Sequence, residues 1–296
     1  MQLYRIEGNR PAPSPTIFRY DGSRIREGGS CIYFEGVEVG INESQSPRII
    51  KKIKTDPTAL TLPQALAERL EFSRIFDHAL NTTAVRFDLF LDAPNIMAAT
   101  ALYQIEQPID RRAMALSEVP PKSIKTELLY ASSVASTLQM LEGKGFVYGD
   151  IQGENLFVTA NSTEVLFSDL YAARNINHVV AQHYICTNSL CPKNMELSDL
   201  SRLRTLDTYM LAHLFASRLL KDFDTIMLLE LVDLDWNIEK FKTHLQSFND
   251  LDLFTNAAAA RLLAVLKKGL AVYSDRRYQS AAEMQQDLDQ CIDRMP

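Results

Sequence analysis

Residues Phe146 to Val158 read Phe-Val-Tyr-Gly-Asp-Ile-Gln-Gly-Glu-Asn-Leu-Phe-Val, a polar stretch between two apolar runs. The flanking runs fix both ends of the stretch in a core. Its centre carries two glycines, makes a poor helix, and must face a cleft as a loop. Asp150 and Asn155 stand five positions apart in it, and Val165-Leu-Phe-Ser-Asp169 then repeats the pattern of a buried strand ending in a carboxylate. Asp150, Asn155 and Asp169 thus follow one another as three oxygen donors, suited to hold a hydroxyl and a metal.

The chain has 296 residues, 46% hydrophobic and 23% charged, enough for one large or two modest domains with real cores. A net charge of -6 and a pI near 5.5 argue against general affinity for nucleic acid or anionic membranes, since Lys51-Lys52-Ile53-Lys54 is too short a basic run. No apolar stretch reaches the length of a membrane span, and the N-terminus carries no signal-peptide core. The expectation is a soluble protein acting in a cytoplasm; export into another cell is left open. The cysteines at 31, 186, 191 and 291 fit reduced thiols. His183, Cys186 and Cys191 lack the second ligand pair that a zinc site needs.

Along the first hundred residues β-like runs alternate with turn signals: Thr16-Ile-Phe-Arg-Tyr, Cys31-Ile-Tyr-Phe, Arg48-Ile-Ile-Lys-Lys-Ile and Arg86-Phe-Asp-Leu-Phe-Leu. One helix is predicted among them, from Leu62 to Leu80, with Pro63 in its first turn. From Lys122 onward the pattern is mostly helical, with helices over Thr126 to Glu142 and near 207–220, 223–233, 237–247, 256–272 and 279–293. The Pro-rich stretch Asn9 to Thr16 reads as an entry linker, which gives an N-terminal extension over 1–24, a first lobe over 25–104 and a second over 105–296.

In order and spacing, Tyr148-Gly149-Asp150 to Asn155 followed by Asp169-Leu170-Tyr171 resembles the protein kinase superfamily. There, a catalytic loop H-R-D-x-x-x-x-N precedes a metal-binding D-F-G turn. Asp207-Thr-Tyr-Met-Leu-Ala is similar to the start of that family's buried central helix. Ser274-Asp-Arg-Arg-Tyr-Gln-Ser-Ala-Ala-Glu-Met is similar to its last helical segment, in the form found in bacterial Ser/Thr kinases. The resemblance implies an α+β, bilobal protein kinase-like fold, with a small β-rich N-lobe holding one main helix and a larger, mostly helical C-lobe. It implies ATP and Mg2+, or Mn2+, as cofactors, with Asp150 as base and Asn155 and Asp169 as metal ligands. Lys51 would hold the nucleotide phosphates, with Lys54 and, on the opposite strand face, Lys52 competing for the role. Glu71, or Glu68 one turn away, would hold Lys51. Gly28 and Gly29 would stand in the nucleotide-cradling loop, Asp207 would steady the catalytic-loop backbone, and Arg277 would pair with a glutamate ending the activation segment, for which Glu196 is the candidate, although Cys191-Pro192-Lys193 could equally stand for that segment's A-P-E.

The departures are as specific as the matches. Arg26-Glu27-Gly28-Gly29-Ser30-Cys31 keeps only the middle glycine of G-x-G-x-x-G, which loosens the grip on phosphates. Gln152 stands where Ser/Thr kinases carry a lysine near the transferred phosphate, Gly149 where they carry an arginine, and Tyr171 where they carry a glycine. The first expectation is therefore a divergent kinase acting on Ser/Thr hydroxyls, with an unidentified protein acceptor. The alternatives are a phosphotransferase for a small hydroxyl compound and a catalytically impaired, kinase-like binding module.

Overall fold

The computed structural model describes residues 1–7, 10–20, 26–27, 31–40, 44–53, 62–63, 66–67, 69–70, 87–106, 109, 113–159, 162–168, 173–176, 205–220, 237–245, 248–271 and 273–295. The chain divides into two compact units, with the boundary between Arg111 and Arg112.

The first unit contains β1 (Gln2–Glu7), β2 (Arg10–Pro11), β3 (Thr16–Arg19), β4 (Arg26–Glu27), β5 (Cys31–Val39), β6 (Gln45–Ile53), β7 (Phe87–Leu91) and β8 (Leu102–Glu106). Pairing runs β1-β3-β5-β6-β8-β7 and returns from β7 to β1, every pair antiparallel. Six strands therefore close into a barrel, with β2 paired to β1 and β4 to β5 outside the ring. Closure depends on β1, which puts Leu3 opposite Thr16 on one side and Tyr4 opposite Leu91 on the other. A closed ring leaves no open sheet edge, and a barrel of this size is filled by its own side chains. Leu3, Phe18, Ile50, Phe90, Ala101, Tyr103 and Ile105 form that filling, with the Phe18 and Phe90 rings meeting edge to face at 5.3 Å.

This barrel corrects the fold implied by the resemblance to protein kinases. A bilobal kinase-like arrangement calls for a small sheet with one main helix. Here the strands wrap into a closed antiparallel ring, and five α-helices have defined bounds among the described residues of the whole chain. The assignment of the chain to the kinase superfamily falls with it. Local motifs of three to eleven residues report local backbone, whereas closure depends on pairing between residues nearly ninety positions apart, which no short motif records. At the predicted Leu62–Leu80 helix, positions 62–63, 66–67 and 69–70 are helical; the others, and the helix near 223–233, lie outside the described residues.

The second unit is built on α1 (Ile124–Glu142), α2 (Leu206–Leu219), α3 (Ile238–His244), α4 (Asn256–Gly269) and α5 (Ala281–Ile292). The short strands β9 (Ala113–Ala115), β11 (Leu156–Thr159) and β12 (Leu166–Phe167) form one sheet in the order β12-β11-β9, while β10 (Phe146–Val147) pairs with β13 (Arg174–Asn175). No helix among the described residues is long and apolar enough to cross a membrane.

Helix α1 holds the unit together because both its ends are tied to distant chain. At its N-terminus the Ser123 hydroxyl accepts from the Thr126 amide. Asp250 accepts from the amides of Ile124 at 2.8 Å and Lys125 at 3.0 Å and from the Ser123 hydroxyl at 2.8 Å. A carboxylate there satisfies otherwise orphaned amides and faces the positive end of the helix dipole. At the other end Glu142 accepts from the Ala281 amide, which opens α5. Midway, the Ser132 hydroxyl donates to Asp289 at 2.6 Å. Asp250→Ala is expected to lower stability by about 1–2 kcal/mol, the upper range for a lost cap; a change below a few tenths in urea titration would show the cap to be dispensable.

Candidate active site

Between β10 and β11 the chain turns through Tyr148 to Asn155, and each anchor of this turn can be traced to a residue. Tyr148 is fully buried. Its ring packs on Phe167 at 5.2 Å, and its hydroxyl donates to the Ser168 carbonyl at 2.7 Å. Gly149 adopts φ 75°, the left-handed region that glycine tolerates best, so an arginine here would be strained. Ile151 is fully buried. Gly153 packs so closely on the 3-10 turn Leu116–Glu118 that a Cβ would lie 2.9 Å from the Ser117 amide nitrogen. The Asn155 carbonyl accepts from the Ser168 amide at 2.8 Å and hydroxyl at 3.1 Å, which fixes the end of the turn to β12.

The turn's backbone is held from below by Asp207, in the first turn of α2. One carboxylate oxygen accepts from the Tyr148 amide and the other from the Gly149 amide, both at 2.7 Å. Burial pushes this carboxyl up to about 6, against the two amide hydrogen bonds, which favour the ionised form. Since the folded value lies above the ordinary one, the stability from this group is full below about pH 4 and is lost as pH rises toward 6. Wild type should therefore lose stability relative to Asp207→Asn over that interval, and the Asp207 carboxyl 13C resonance should titrate near 6. A midpoint at the ordinary carboxylate value would show that the amides outweigh burial.

With the backbone fixed, Asp150 presents a half-buried carboxylate held by its own loop. The Asn155 amide nitrogen donates to Asp150 Oδ2 at 2.8 Å and to the Asp150 carbonyl at 3.1 Å, and Gln152 Nε2 reaches the same Oδ2 at 3.2 Å. Two amide donors on one oxygen hold the carboxylate in a single orientation. With its nitrogen committed to Asp150, Asn155 has its side-chain oxygen as the group that suits a hard cation such as magnesium. Among the described residues no three His, Cys, Asp or Glu side chains gather into a metal cluster. Among the described residues of the loop, the donors thus fit a cation in part, through that amide oxygen. Asp169, expected as the second ligand, lies outside the described residues, as do Gly28, Gly29, Glu68, Glu71 and Glu196.

Lys51 belongs to the barrel unit. It is buried on β6, and its ammonium lies 2.7 Å from Glu106 Oε1 and 5.3 Å from the centre of the Tyr33 ring. Gln104, directly opposite Lys51 on β8, donates to the same Glu106 oxygen at 2.6 Å, while its own carbonyl oxygen is buried without a partner. Sequence reasoning overlooked Glu106, although strand alternation sets Gln104 and Glu106 on the same face of Leu102-Tyr-Gln-Ile-Glu. Ser168 was overlooked too, and nothing in the sequence marks it. Arg277, a proposed partner for Glu196, donates from Nε to the Ala271 carbonyl at 2.6 Å and stacks over the Tyr209 ring at 4.5 Å.

The described geometry therefore brings together Asp150, Gln152, Asn155 and Asp207 in the second unit, with Lys51 described in the first. No protein-family model matches this chain, and no curated protein matches it in sequence.

Proposed function

We propose that the chain is an ATP-dependent phosphotransferase acting on hydroxyl groups, with Ser and Thr side chains of a protein as acceptors and Asp150 as the base. One observation carries this reading. Asp150 is a half-exposed carboxylate oriented by two amides, on a backbone whose two preceding amides are locked onto a buried acid. Such positioning is what general-base work requires, because the carboxylate must meet a hydroxyl proton without reorganising. The acceptor oxygen attacks the γ-phosphorus as the bond to the β,γ-bridging oxygen breaks; ADP leaves, and the hydroxyl proton passes to Asp150.

Asn155, through its amide oxygen, and Asp169, the residue after Ser168 in sequence, would hold magnesium, which neutralises phosphate charge when bound. Gln152 steadies the base. Lys51, a lysine kept buried with a matched carboxylate, is assigned to the nucleotide phosphates; Gly28, Gly29 and Glu71 were assigned to the nucleotide grip by the resemblance alone and lie outside the described residues.

Transfer of labelled γ-phosphate from ATP and magnesium to a mixed Ser/Thr protein acceptor tests this directly. Incorporation by the wild type supports the reading. If ATP and magnesium raise the melting temperature but no phosphate moves, the chain is a nucleotide-binding module. If neither occurs, the proposal fails.

A further inference from the structure

Helices α4 and α5 enclose a groove of about 450 Å3 in the second unit, remote in sequence from the Asp150 loop. Its floor is apolar, made by Ala257, Ala260, Ala264 and Val265, and its polar lining is Arg261, Lys268, Arg294, Tyr278 and Asp287. Three cations against one carboxylate give the groove a positive balance. Two of the cations have partners: Lys268 pairs with Glu283 and lies 4.3 Å from the centre of the Tyr278 ring, and Arg261 meets Asp287 at 3.3 Å and Gln290. Asp287 in turn accepts from the Tyr278 hydroxyl at 3.0 Å. Two donor groups go beyond these pairings. Arg261 Nε is buried with no acceptor, and Arg294 makes no ion pair among the described residues.

A buried guanidinium N–H without an acceptor is costly, and a carboxylate or phosphate oxygen is the group that best relieves it. We propose that this groove binds a small organic anion, a carboxylate or phosphate monoester on an apolar body, with the anion between Arg261 and Arg294 and the body on the alanine floor. Shape and charge divide the work: the arginines fix the head, and Ala257, Ala260 and Ala264 leave room that larger side chains would fill. The inference rests on the second unit's own geometry and stands apart from the phosphotransferase reading.

Calorimetry on the full chain tests it with four probes: phenyl phosphate, benzoate, inorganic phosphate and phenol. Phenyl phosphate or benzoate should bind one to one, and which of them does identifies the head group. Inorganic phosphate should bind more weakly, and phenol should give no heat. Arg294→Gln, a change beyond the end of α5, and Arg261→Gln should each weaken the binding about tenfold, as expected for one lost charge-assisted hydrogen bond. Asp150→Ala should leave it unchanged, which separates the groove from the proposed active site. The proposal is overturned if neither organic anion binds, if phenol binds as well as they do, if inorganic phosphate matches them, or if both arginine variants bind like wild type.

Discussion

Asp150→Ala should lower phosphate transfer by roughly two to four orders of magnitude, the usual contribution of a positioned general base. The fold should survive, because the side chain is half-exposed and the turn is held by Asp207, Ile151 and Gly153 instead. An unchanged melting temperature with lost transfer assigns the defect to chemistry. Gln152→Ala offers a graded companion. It removes only the longer of the two amide hydrogen bonds to Oδ2, so its loss should be smaller than that of Asn155→Ala, which removes the 2.8 Å bond and the tie to the loop carbonyl. If Asp150→Ala transfers phosphate at the wild-type rate, the carboxylate is not the base and the mechanistic reading is lost.

The second large effect concerns stability. Glu127 on α1 and Arg218 on α2 form a buried bidentate pair, Nε to Oε2 at 2.6 Å and Nη2 to Oε1 at 2.9 Å. The same guanidinium also donates to the carbonyls of Leu116 and Val119. Glu127→Ala leaves a buried guanidinium without its counter-charge and should cost about 3–5 kcal/mol, seen as a lower denaturant midpoint. Replacing both partners together, Glu127→Leu with Arg218→Met, should cost far less, since a buried ion pair gains little over well-packed apolar groups of similar size. A larger loss in the double variant than in the single one would mean that the two carbonyl hydrogen bonds, which only the double variant removes, carry the stability. Arg218 ties the Leu116–Glu118 turn to α2, and Ser117 in that turn abuts Gly153 of the Asp150 loop. Activity in the single variant should therefore fall along with stability.

The helices of the second unit were legible because periodicity and caps are local. Thr126 to Glu142 was expected and Ile124–Glu142 is observed, ending at Gly143; the segment expected over 279–293 is observed as Ala281–Ile292, opened by Ser280 with Glu283 three residues on. Strands at Thr16, Cys31, Arg48 and Phe87 were legible for the same reason, since alternation is read within one segment. What those strands do together was not. Whether a set of antiparallel strands lies open or closes is decided by which edges meet, and Gln2 to Glu7 carries no turn signal or motif to announce that it pairs with both β3 and β7. At the site, the loop residues were legible because glycines, Asp and Asn between apolar runs are unusual. Glu106 beside Lys51 was not, because a glutamate at the end of an apolar strand reads as a strand boundary until the neighbouring strand is known.

Closure by β1 also orders events in time. The strand that begins at Gln2 must wait for a partner that ends at Leu91, so while the polypeptide emerges it stays unmated on one side until nearly the whole first unit has been made. Bringing such distant segments together is entropically slow, and an unmated strand meanwhile can zip onto a neighbouring nascent copy. Ring completion is thus expected late in synthesis, and slow translation before residue 91 would prolong the period at risk.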